Sequence, residues 1–155
     1  MEKLPPVEKI YEAYSAIADG RVAMRTGEAA VRSSNGQKEY TVTWDDKAYT
    51  SNDSATYWQG YAGYPVIAVL LLQGRLPLDR GAAAKFKGID WTALNTRFKR
   101  DYAKAAAAVF DAMDCDAGTK DRIRAEAERV YKAIKELDIV IKRGALRPPK
   151  ASRQK

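Results

Sequence analysis

The 155-residue chain has no histidine and a single cysteine, Cys115. Without an imidazole there is no Ser-His-Asp or Cys-His relay and no histidine-ligated metal. One thiol makes no intrachain disulfide, four-thiolate zinc site or iron–sulfur cluster, and it fits a reducing, cytoplasmic setting. Long apolar runs are also missing. The longest, Pro65 to Leu72, falls far short of the ~20 residues of a membrane span, and no apolar segment follows the mixed-charge N-terminus as in a secretory signal. Phosphate loops, dinucleotide fingerprints and nucleophile elbows are absent. Carboxylates, tyrosine and lysine remain for acid–base chemistry, and no apolar setting marks one as tuned. A non-catalytic protein without a cofactor is expected, with no membrane partner.

What is present is a foldable composition, 46% hydrophobic and 10% aromatic, with a segregated net charge of +7. Residues 1–50 hold seven basic and eight acidic residues, 51–100 seven and three, and 101–141 seven and nine. The last fourteen hold six basic residues and no acid. The basic excess therefore lies in the middle of the chain and in the tail.

Pro5-Pro6 followed by Val7, Ile10, Tyr11, Tyr14 and Ile17 predicts an amphipathic helix stopped by Gly20. Arg21 to Arg25, Glu28 to Ser33, Lys38 to Trp44 and Ala48 to Ser51 read as strands, with Asn35-Gly36 suiting a type I′ hairpin turn. A loop from Asn52 to Gly63 leads to a buried helix over Pro65 to Gln73, and a short helix over Leu78 to Lys85 follows. The stripe Trp91, Leu94, Phe98, Tyr102, Ala105, Val109, Met113 predicts one helix to about Asp114, capped by Asp90. A last helix, capped by Thr119, carries Ile123, Ala127, Val130, Ile134, Leu137 and Ile141 at heptad spacing. The expected class is α+β: a small antiparallel sheet with an N-terminal and a buried helix, then a C-terminal antiparallel helical hairpin. The expected divisions are 1–76, 77–144 and a basic disordered tail over 145–155.

The order "KEYTVTW", "AYTSND", "YWQGYAGYP", "VIAVLLLQG" resembles the SWIM zinc-finger domain over about residues 21–74. Thr50 and Asn52 stand where that family has Cys-x-Cys, and Tyr64 and Val66 where it has Cys-x-His. Hydroxyl, amide, phenol and isopropyl groups do not hold tetrahedral zinc. The resemblance thus implies a metal-free derivative filled by packing, and it implies binding to DNA or protein.

Three features are candidates for function. The tail residues Lys142, Arg143, Arg147 and Lys150, with Arg153 and Lys155, suit phosphate contacts; they equally suit a solubilising extension, with Lys142 and Arg143 offsetting the helix dipole. Arg75, Arg80, Lys85, Lys87, Arg97, Lys99 and Arg100 interleave with Phe86 and Trp91, a pattern for backbone tracking with base stacking, although Trp91 also falls on a core stripe. Tyr57 and Trp58 sit on a loop able to present rings to a base or a partner. The carboxylates Asp111, Asp114, Asp116 and Asp121 lack the Glu of a calcium loop and read as helix caps. The leading expectation is a nucleic-acid-binding protein, for DNA or RNA. The alternative is an interaction module that self-associates or binds a protein through the 119–143 helix.

Overall fold

The computed structural model describes residues 1–150; Arg153 and Lys155 of the tail lie outside the described residues. The fold is α+β. Helix α1 (Lys9–Ala18) precedes the meander β1 (Val22–Met24), β2 (Glu28–Arg32), β3 (Glu39–Asp45) and β4 (Ala48–Ser51). A short π-helical turn (Ala55–Gln59) leads to α2 (Tyr64–Leu72). The helices α3 (Arg80–Ala84), α4 (Trp91–Arg97), α5 (Tyr102–Ala112) and α6 (Ala117–Glu136) precede a final strand, β5 (Val140–Ile141).

The sheet runs β1-β2-β3-β4-β5, antiparallel except for β5, which pairs parallel to β4. Strand alternation sends Ala29, Val31, Val42 and Tyr49 to one face, all essentially inaccessible. Helix α2, apolar all round, lies on that face and is held there as Tyr49 Oη donates to Gln73 Oε1 over 2.7 Å. Helix α1 crosses α2 and also packs on α3 and α6. One continuous core runs from Ile10 to Ile139, crossing the expected division at residue 76.

Four local expectations change. The helix from Trp91 breaks into α4 and α5, because Lys99 (φ 52°) and Arg100 (φ 65°) turn left-handed; Arg100 N–H donates to Asn95 O over 2.8 Å to close α4, and Asp101 caps α5 by accepting from Lys104 N–H. The last helix ends at Glu136, since Val140 N–H donates to Lys47 O and Lys142 N–H to Tyr49 O at the open edge of β4. Asp116, rather than Thr119, caps α6. At the β2–β3 turn only Gly36 has positive φ; Asn35 acts through its side chain, accepting from Gln37 N–H. The expected cap Asp90 accepts from Ala93 N–H, and Asp79 caps α3 by accepting from Ala82 N–H, each over 3.0 Å. No helix among the described residues is long and apolar enough to cross a membrane.

Candidate nucleic-acid interface

Sequence places Lys9, Glu12 and Ser15 three residues apart, on the polar stripe of α1. Such a stripe ordinarily faces water. Here α4 covers its far end: Trp91 Nε1 donates to Ser15 Oγ over 2.8 Å and Asn95 Nδ2 donates to Glu12 Oε1 over 3.3 Å. The near end opens into a cleft of about 1020 Å³ bounded by α1, the β2–β3 turn, the π-helical turn and the α4–α5 junction.

The floor is an ion pair with both partners out of water. Lys9 Nζ lies 3.2 Å from Glu12 Oε2, with the side chains 8% and 7% exposed. Burial pushes the Glu12 carboxyl above its ordinary range, and the Lys9 ammonium only partly offsets this. Burial works against the Lys9 ammonium too, but the Glu12 carboxylate together with the nearby Tyr102 and Tyr61 outweighs it and leaves its pKa raised. Lys9 Nζ also stands 4.1 Å from the centre of the Tyr102 ring, a cation–π contact. Tyr40 and Tyr64 meet edge to face at 6.2 Å, and burial raises both phenols, which therefore stay protonated donors.

One wall is set by Asp53, which is buried and accepts from Ser51 Oγ and from Thr56 N–H at 3.1 Å. Thr56 Oγ1 accepts from Gly63 N–H at 2.9 Å. A Cβ at residue 63 would lie 2.0 Å from Asp53 Oδ2, so the close approach requires glycine. This tie orients the π-helical turn that carries Trp58, the most exposed large apolar side chain at 61%. The opposite rim is the left-handed pair Lys99 and Arg100; Lys38 and Arg21 add cations, and Tyr61 and Trp91 add rings. Arg21 donates through Nε to Asp19 and through Nη1 to Arg32 O, while its buried Nη2 has no partner. Asn95 Oδ1 is likewise buried and unpartnered.

The expected basic residues do not form one track. Lys99, Arg100 and Trp58 share the cleft. Arg143 joins its edge, lying 4.8 Å from the Tyr57 ring and 5.6 Å from that of Trp58 and donating to Tyr57 O. Lys85, Lys87 and Arg97 line a separate groove of about 580 Å³ floored by Ile89, Leu94, Val109 and Met113. Arg75 donates to Tyr49 Oη over 2.8 Å and serves the sheet. Arg80 and Lys150 are exposed on other parts of the surface. Lys142 is committed through its backbone to β4, and Arg147 O accepts from Asn52 Nδ2. Phe86 is no stacking residue; it is fully buried among Tyr11, Tyr14 and Phe110.

Thr50, Asn52, Tyr64 and Val66 do not close round one centre. Thr50 Oγ1 pairs with Thr43 Oγ1 on the sheet face away from α2, while Val66 is buried within α2. Asn52 Oδ1 accepts from Thr41 N–H at 2.7 Å. The heptad stripe is also spent within the chain: Ile123, Ala127, Val130 and Ile134 are buried in the shared core. Sequence reasoning missed Lys9, Glu12, Arg21, Lys38 and Asn95; the spacing of polar residues on α1 was the one local signal.

The family model described as Uncharacterised conserved protein UCP014422 matches residues 2–140. The chain belongs to that family. No curated protein and no solved structure matches it. Every cleft residue falls inside the segment shared with UCP014422, whereas Arg143, Arg147 and Lys150 lie beyond it.

Proposed function

We propose that this protein binds single-stranded nucleic acid in the cleft, without catalysis, phosphates contacting Lys38, Lys99 and Arg100 and a base stacking on Trp58. The observation that carries this reading is the left-handed pair Lys99 and Arg100 at the rim. Left-handed backbone costs an L-residue about 1–2 kcal/mol, and such strain concentrates where function holds it in place. Here it turns two adjacent cations into a cleft that also offers an exposed indole and half-buried phenol rings. Cations tracking a backbone beside stacking platforms are the features of sequence-tolerant strand binding. With a single cysteine, which suits a reducing compartment, the cytoplasm is the proposed setting.

Fluorescence anisotropy with a labelled thymidine oligomer, at several salt concentrations, tests the reading. Affinity should fall steeply with salt, and Lys99→Glu with Arg100→Glu should flatten the log–log slope by about 1.4, the share of two phosphate contacts on a single strand. An unchanged slope would remove the cleft from the account. The strain has its own signature. Arg100→Gly should stabilise the fold by about 0.5–1 kcal/mol, because glycine adopts left-handed backbone without a Cβ clash, while weakening binding. Urea titration beside the anisotropy assay reads both; a variant that loses stability would contradict the strain argument.

A further inference from the structure

We infer that the floor of the cleft is a recognition site for one base and that the base is guanine; this rests on the strand-binding reading above. Two contacts fix the order of groups on the floor. Lys9 Nζ lies 3.2 Å from Glu12 Oε2, and Asn95 Nδ2 donates to Glu12 Oε1 over 3.3 Å. The second contact fixes the amide, since the opposite orientation would set the Asn95 carbonyl against a carboxylate. With Asn95 Nδ2 spent on Glu12, the groups left for a ligand are the Lys9 ammonium, the Glu12 lone pairs and Asn95 Oδ1, which read donor, acceptor, acceptor. The last acceptor, Asn95 Oδ1, is buried with no partner, a state that is costly until a donor arrives. Glu12 keeps spare lone pairs, because a carboxylate offers about four acceptor sites.

The matching ligand edge reads acceptor, donor, donor. Among the common bases only guanine has it, with a carbonyl, a ring N–H and an exocyclic amine in a row. Adenine and cytosine place the amine beside an unprotonated ring nitrogen, and thymine and uracil flank one N–H with two carbonyls. Splayed bases are read on this edge and stacked on aromatic side chains; Tyr61, Trp91 and Tyr102 line the same cleft. Arg21 Nη2, the other buried and unpartnered polar atom of the cleft, is a donor suited to a phosphate or carbonyl oxygen of the same ligand.

The test is anisotropy with four labelled thymidine strands that differ only in the central base, with guanosine monophosphate as competitor. The guanine strand should bind about tenfold or more tighter than the all-thymidine strand. Asn95→Ala should abolish that preference and keep the salt slope, because the rim cations are untouched; a melting curve matching the wild type excludes unfolding as the cause. Equal affinity for all four strands, or preference for adenine or cytosine, overturns the guanine site and leaves strand binding standing. Binding of guanosine monophosphate that depends on Asn95, with no strand bound, keeps the base site and overturns the strand reading. No binding of any probe overturns both.

Discussion

Replacing Glu12 by alanine should cost about 3–5 kcal/mol, because it leaves the Lys9 ammonium buried without its counter-charge. The Lys9 side chain is only 8% exposed, and the Tyr102 ring 4.1 Å away compensates in part. For a domain stable by about 5–15 kcal/mol this is a large fraction of the total. The double variant Lys9→Met with Glu12→Leu should lie much nearer the wild type, since an apolar pair of similar volume avoids desolvating two charges. Urea unfolding of Lys9→Met, Glu12→Leu and the double variant gives the coupling directly. Near-additive losses would show that the pair is not the unit it appears geometrically.

The same site gives a pH dependence of definite sign. Burial raises the folded pKa of Glu12 above the ordinary 4.5, so the native state holds that proton more readily than the unfolded chain. Its contribution to stability is then fully present below the unfolded value and is lost as pH rises through the folded one. The wild type should therefore gain stability relative to Glu12→Gln as pH falls from neutrality toward the ordinary carboxylate value. A gain of the variant over the wild type as pH falls would reverse the assignment.

Phe86→Ala is the second large effect, at about 3–5 kcal/mol for truncating a fully buried ring. Phe86 is inaccessible to solvent and packs at 5.2 Å from Tyr11 and 5.8 Å from both Tyr14 and Phe110. Its carbonyl also accepts from Ser15 Oγ, the hydroxyl that receives the Trp91 indole N–H. The loss thus reaches the covering of α1 and the wall of the cleft together. Phe86→Leu, which keeps more of the volume, should cost less. Thermal and urea unfolding measure both variants. A Phe86→Ala protein of wild-type stability with impaired binding would return Phe86 to the surface role that its sequence neighbours suggest.

Elements with local causes were legible. Gly20, the alternation Tyr40, Val42, Trp44 and the cap Asp90 each act within a few residues of where they stand. The break at Lys99 and Arg100 was not, because both residues favour helix and the apolar stripe passes through them. Strand β5 was hidden for a related reason: Leu137 and Ile141 keep heptad spacing, and only a distant partner, the edge of β4, decides for a strand. The floor of the cleft depends on contacts 83 residues apart, between Asn95 and Glu12. No periodicity encodes such a meeting. Lys9 and Glu12 look like a solvated face until α4 is laid over α1.

Backbone amide NMR of the labelled protein, titrated with a short guanine-containing single strand at low salt, tests most directly whether the cleft is the binding surface. The largest shifts should fall on Trp58, Asn95, Thr96, Lys99 and Arg100, with the Trp58 and Trp91 indole signals moving together. Shifts confined to the residues after Ile141, or to Lys85, Lys87 and Arg97, would contradict that claim.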